Sequence, residues 1–240
     1  SMEVEIISCL KDNYSYLVID KGNNSACVVD PSESEPIIEV IEKKKVNLKF
    51  ILNTHHHYDH VGGNEMLKKK FGAKIIGFKN DKNRIPFVDI LLEDNEIWKN
   101  LNFEFKVFHI PGHTSGHICF YFYKDNIVFS GDTLFSLGCG RIFEGTYEQM
   151  YYSLNKFKEL PKETKVYCGH EYTLQNSVFC ATYDKDNDEL NKKILEVKSK
   201  RDRNLPTIPS TIGEELACNI FLRAKNLKDF SKLRDLKDNF

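Results

Sequence analysis

The residues best able to do chemistry stand together at Thr54-His55-His56-His57-Tyr58-Asp59-His60, directly after the apolar run Phe50-Ile51-Leu52. Four of the eight histidines of this 240-residue chain fall within six positions. An internal cluster that follows a buried strand is not a tag or a solvated surface patch, and imidazole nitrogens beside a carboxylate are ligands for borderline divalent cations. Residues two apart in an extended segment point the same way, so His55 and His57 can converge on one cation. Asp59 and His60, around the following turn, can reach a second. Gly62-Gly63 then lets the chain turn tightly into the next element.

Three further segments supply what this cluster lacks. Pro111-Gly112-His113-Thr114-Ser115-Gly116-His117, Ser130-Gly131-Asp132-Thr133 and Cys168-Gly169-His170-Glu171 each place a His or Asp just past a strand end, where loops gather into sites. Together the four segments provide two sets of three ligands and one carboxylate able to bridge. Asp30, ahead of Pro31, reads equally as a turn residue and as a hydrogen-bond partner for a ligating His. His56, His109 and His117 read as packing or supporting residues.

The elements that must position these groups are strands first and helices later. β-branched and aromatic runs mark strands at 3–8, 14–19, 26–29, 49–52, 74–78, 103–110, 119–123, 126–129 and 165–168. Helices are expected at 35–45, with Ile37, Ile38 and Ile41 on one face, at 64–71 before Gly72, and at 147–159, where Thr146 and Gln149 form a capping box and Pro161 stops the helix. Beyond about Tyr172 only helical patterns remain, near 175–182, 188–203, 213–223 and 228–237. The expected class is α+β, with a boundary that gives domains 1–173 and 174–240.

The signature Thr54 to His60 resembles the T-H-x-H-x-D-H motif of the metallo-β-lactamase superfamily. Within it the chain is similar to the hydroxyacylglutathione hydrolase (glyoxalase II) family over nearly its whole length. The similarity rests on Leu10-Lys11-Asp12-Asn13-Tyr14, Gly131-Asp132-Thr133-Leu134-Phe135, Gly138-Cys139-Gly140, Cys168-Gly169-His170-Glu171-Tyr172, Pro206-Thr207-Ile208-Pro209-Ser210-Thr211 and Asn219-Ile220-Phe221-Leu222-Arg223. The resemblance implies a metallo-β-lactamase-like αββα sandwich followed by a small all-helical C-terminal domain that binds glutathione. It implies that His55, His57 and His113 hold one metal and Asp59, His60 and His170 the other, with Asp132 bridging and Asp59 and Asp132 acting in catalysis. Zinc is the first expectation, although iron and manganese suit the same ligands. Glutathione contacts map onto Arg141, Phe143, Tyr172, Arg234 and Lys237. Arg141 stands where many relatives carry Lys, Phe143 where many carry Tyr, and Ile220 where Pro is usual. Arg234 and Lys237 are three apart on an expected helix and share a face.

The implied reaction is hydrolysis of S-D-lactoylglutathione to D-lactate and glutathione, the second step of methylglyoxal detoxification. Two cations would bring the pKa of a shared water from about 15.7 toward ~7, and the leaving thiolate needs little help from an acid. Cys139 and Cys168 accordingly read as buried packing residues. A competing reading on the same fold is a single-iron glutathione persulfide dioxygenase; a binding module without activity would have lost ligands, and none of the seven is missing. Lys+Arg 34 against Asp+Glu 35 gives a net charge of −1, which disfavours nucleic acid and anionic membrane as partners. Seven cysteines without a C-x-x-C pair, and no secretory signal at the acidic start, point to a reducing cytoplasm. A monomer is expected, and Ser1-Met2 reads as an expression scar.

Overall fold

β-branched and aromatic residues suit pleated, half-buried surfaces, and the runs picked out in the N-terminal half all form strands. The computed structural model describes residues 2–240, so the reading of Ser1 lies outside them. The chain divides into two units, one running to His109 and including Gly116–Asp125, the other made of Ile110–Ser115 and Asn126–Phe240.

In the first unit β1 (Met2–Cys9), β2 (Asn13–Asp20), β3 (Ser25–Val29), β4 (Asn47–Leu52), β5 (Lys74–Phe78) and β6 (Ile90–Leu92) lie side by side in that order. The pairing is antiparallel from β1 to β3 and parallel from β3 to β6. Parallel neighbours need a crossover. Helix α1 (Glu35–Lys44) links β3 to β4, and α2 (Tyr58–Val61) with α3 (Asn64–Phe71) links β4 to β5. Ile37 and Ile41 of α1 and Leu67 of α3 pack into one core with Leu17, Val28, Ile51 and Ile75. Strands β7 (Ile97–Asn100), β8 (Phe103–His109) and β9 (Ile118–Phe122) form an antiparallel meander in which Trp98 stacks on Phe105. β6 and β7 were not expected from sequence; the first is three residues long and the second is an edge strand exposed at three of its four positions.

In the second unit β10 (Ile127–Gly131) pairs in parallel with β13 (Lys165–Cys168), and the crossover is α4 (Tyr147–Lys158). The Thr146/Gln149 capping box is formed in both directions. Between them β11 (Leu134–Phe135) and β12 (Gly138–Cys139) make a short hairpin. Then come α5 (Thr173–Tyr183), α6 (Asp188–Asp202), the two-residue β14 (Ser210–Thr211) on the edge of β13, α7 (Ile212–Cys218) and α8 (Leu227–Asp238). The tail is therefore not purely helical, and α7 stops at Cys218 rather than continuing to Arg223. Asn219 leaves the helix at ψ 111, and its Oδ1 accepts the Phe221 N–H at 3.0 Å. All seven cysteines are buried and unpaired with one another. Among the described residues no helix is long and apolar enough to cross a membrane.

Candidate active site

β4 is buried along its last three residues and releases Asn53 to Asp59 at its carboxyl end, the usual place for a site in a parallel sheet. Asp30, at the matching end of β3, organises that loop. Its Oδ1 accepts the Thr54 N–H at 2.8 Å, and its Oδ2 accepts the Thr54 hydroxyl at 2.6 Å and faces His60 Nδ1 at 3.0 Å. A carboxylate can only accept, so His60 donates from Nδ1 and keeps its lone pair on Nε2. Thr54 has a single hydroxyl proton, given to Asp30, so at 2.9 Å it accepts from His55 Nδ1, and His55 too carries its lone pair on Nε2. One carboxylate thus sets two imidazoles in ligand form. Asp30 adopts φ 49, a left-handed conformation that Asp tolerates better than most residues. Between the two sequence readings of Asp30, the structure selects the His-supporting one.

His55, His57 and His60 crowd together, with ring centroids 4.9 Å (His55–His57) and 4.2 Å (His55–His60) apart. Fully buried His117 stacks behind His55 at 4.4 Å, His109 packs on Phe78, and His56 faces Asp81 at 3.9 Å. Asp59 Oδ2 lies 3.3 Å from His60 Nε2 and accepts from Asn13 Nδ2 at 3.0 Å. The sequence alone gives Asn13 no task, because its partner is 46 residues away and no local pattern reports it. Gly62 is required where it stands, because a Cβ there would lie 2.3 Å from the Ser32 carbonyl oxygen.

In the second unit His113 and His170 both turn Nε2 toward one oxygen of Asp132, at 3.5 and 3.2 Å, and all three residues are buried. His113 Nδ1 donates to the Arg141 carbonyl at 2.7 Å, which leaves Nε2 as the lone-pair nitrogen. The His170 ring stacks flat on Tyr172 at 4.7 Å. His113 and Asp132 stand in the wall of a cavity of about 280 Å³ that Arg141, Phe143, Tyr172, Arg234 and Lys237 also line. Phe143 is 63% exposed and meets His113 edge-on. Burial and the nearby Arg234 cation push the Lys237 pKa below its ordinary value. Arg234 is not a solvated surface charge, being 3% exposed. Its guanidinium donates to the carbonyls of Cys139 at 2.7 Å and Gly140 at 3.2 Å and to Asp238 at 2.9 Å. Burial pushes the thiol of Cys168 up to about 12 and that of Cys139 up as well, so neither is a nucleophile at neutral pH.

Residues 11–89 and 83–170 match the model of the metallo-beta-lactamase superfamily, and residues 171–240 that of the hydroxyacylglutathione hydrolase C-terminus. Over 239 residues, 100% of both chains, the sequence is 65% identical to a hydroxyacylglutathione hydrolase of Pelagibacter ubique. The chain belongs to the hydroxyacylglutathione hydrolase family. Another hydroxyacylglutathione hydrolase, from Methylococcus capsulatus, is 43% identical with 94% of this chain and 88% of the relative covered. The fold is that of the metallo-β-lactamases: the crystal structure of the B3 metallo-beta-lactamase BLEG-1 aligns with TM-score 0.71 at 23% identity, over 92% of this chain and 99% of that one. Superfamily membership and the presence of a His/Asp cluster agree on divalent-metal chemistry.

Proposed function

We propose that this chain hydrolyses the thioester of 2-hydroxyacylglutathiones, with S-D-lactoylglutathione giving D-lactate and glutathione. The observation that carries this reading is the convergence of His113 and His170 on Asp132 in a cavity whose wall includes the cations Arg141 and Lys237. The donor set fits two divalent cations: five imidazoles, of which His55, His60 and His113 are fixed with Nε2 lone pairs, and carboxylates to balance charge. His55, His57 and His113 would hold one and Asp59, His60 and His170 the other, with Asp132 shared; zinc is the metal we propose. Bound there, the cations would supply hydroxide at neutral pH and polarise the thioester carbonyl.

The chain's own residues do the rest. Asp132 and Asp59 orient the reacting centre, Asp59 being steadied by Asn13. Tyr172 offers its hydroxyl to the glutathione backbone, Phe143 shields one side, and Lys237 and Arg141 face the glycine carboxylate, with Arg234 closing the wall beneath them. The glutathione thiolate leaves as an anion without a protein acid. We further propose a cytoplasmic monomer, in keeping with seven buried cysteines that form no disulfide with one another, with no nucleic-acid or membrane partner, and a division into a catalytic part to 173 and a glutathione-binding part from 174, supported by the two family matches meeting at residues 170 and 171. The test follows loss of thioester absorbance from S-D-lactoylglutathione, with metal analysis on the same preparation. Saturable hydrolysis by protein holding up to two metals per chain is expected; full activity without metal, or no hydrolysis by metallated protein, would overturn the reading.

A further inference from the structure

The carbonyls of Phe135 to Gly140 share an unusual arrangement: every one of the six accepts a bond from a side chain of the C-terminal tail. Asn219 Nδ2 reaches Phe135 at 3.2 Å and Gly138 at 3.0 Å. Asn176 of α5 takes Ser136 at 3.2 Å, and Cys180 takes Leu137 at 3.3 Å. Arg234 of α8 takes Cys139 and Gly140. Glu215 of α7 completes the set from the donor side, accepting the Leu137 N–H at 2.8 Å and the Ser136 hydroxyl at 3.3 Å. The turn needs this support. Leu137 sits at φ 62, which costs a branched residue energy that neighbouring contacts must offset.

Glu215 and Asn219 are both completely buried. The Glu215 carboxylate is charge-balanced by Lys193 Nζ at 3.3 Å, and Asn219 Nδ2 also lies 3.0 Å from Glu215 Oε1. A buried ion pair and amide at this level of connection fix one geometry and tolerate few others. What they fix is a wall of the candidate active site: Phe135 and Cys139 line its cavity, and the Phe135 ring meets Tyr172 at 5.1 Å. Neither Glu215 nor Asn219 lines that cavity.

We propose that Asn219 and Glu215 are positioning residues that set affinity for the glutathione part of the substrate by holding the 135–140 segment. This rests on the hydrolase reading above. The test uses the full, metal-loaded chain and compares the parent with Asn219→Ala and with Glu215→Gln, which keeps the volume. It measures KM and kcat for S-D-lactoylglutathione, the dissociation constant of glutathione, metal content, and amide exchange at Leu137. Losing the Asn219 bonds should raise KM and the glutathione dissociation constant together by about tenfold. kcat should stay within about threefold, metal content should hold, and Leu137 exchange should quicken. Glu215→Gln turns a charge-assisted bond into a neutral one and should raise both constants by about two- to fivefold; it carries the test alone if Asn219→Ala does not fold. A folded variant with a lower melting temperature but unchanged KM, glutathione affinity and Leu137 exchange would overturn the proposal. A parent that exchanges Leu137 slowly yet does not hydrolyse the thioester would instead overturn the hydrolase reading.

Discussion

Asp30→Asn is the most revealing single change at the candidate metal centre, because it alters one functional group and almost no volume. Asn accepts the left-handed backbone that residue 30 adopts, so the fold should survive. The hydrogen-bond logic does not. The amide has one acceptor oxygen for three donors: the Thr54 N–H, the Thr54 hydroxyl and His60 Nδ1. With the oxygen toward the Thr54 N–H, its NH2 faces His60 Nδ1 and forces that nitrogen to accept. The ring proton then moves to Nε2, the atom that would bind metal in the proposed site. With the amide flipped, two donors meet at Thr54. Either way one candidate ligand histidine or the loop that carries it is misset. Loss of such a supporting partner typically costs 10- to 100-fold in metal affinity, which is about 1.4 to 2.8 kcal/mol. The assay is competition against a chelator of known affinity, followed by metal analysis, with circular dichroism confirming the fold. Retention of metal at parental affinity in folded Asp30→Asn would refute the tautomer argument.

Lys237→Ala should raise KM by about three- to tenfold and leave kcat nearly unchanged, since a partly exposed charge-assisted bond to a remote carboxylate is worth less than a buried one. Because the Lys237 pKa is lowered from 10.5, its cation is present at neutral pH and is lost as pH climbs through the alkaline range below 10.5. The parental KM should rise there while that of Lys237→Ala stays flat, and parallel profiles would exclude Lys237 as the cation. All seven thiols should resist iodoacetamide in the native protein at pH 8 and react after denaturation, because each is buried and Cys168 and Cys180 ionise only near about 12; rapid native labelling, counted by mass spectrometry, would contradict this. Thr146→Ala removes the capping box of α4 and should cost about 1 kcal/mol, lowering the melting temperature by roughly 2 to 4 °C without changing KM. An unchanged melting curve would show that the cap contributes nothing.

Much of this was legible in the sequence because its signals are local. Alternation placed the long strands, Thr146 with Gln149 marked α4, and the segments carrying His55 to His60, His113, Asp132 and His170 were visible as His and Asp just past strand ends. The parts left open or unread depend on distant partners. Asp30 grips Thr54 24 residues away, Asn13 reaches Asp59 across 46, and Glu215 holds Leu137 across 78; no window of sequence contains both ends. β6 and β14 are too short to show a period, and the apolar pattern of Ile220, Phe221 and Leu222 extends the expected helix past Asn219, whose side-chain bond ends α7.

The two-residue strand β14 has a consequence out of proportion to its length. Ser210 and Thr211 pair with Val166 and Lys165, and the Ile212 N–H bonds to the Thr164 carbonyl at 3.0 Å, so the tail occupies the free margin of β13. An uncovered sheet margin is a template for the next chain. A polypeptide ending where α5 begins would carry that margin bare beside the apolar Val166 and Tyr167, and it would be prone to self-association even with every candidate ligand in place. The tail is thus tied to the rest of its unit by solubility as well as by its proposed substrate contacts. A version of this enzyme that discarded glutathione could not simply shed these residues; it would first need a proline, a charge or another strand to close the sheet.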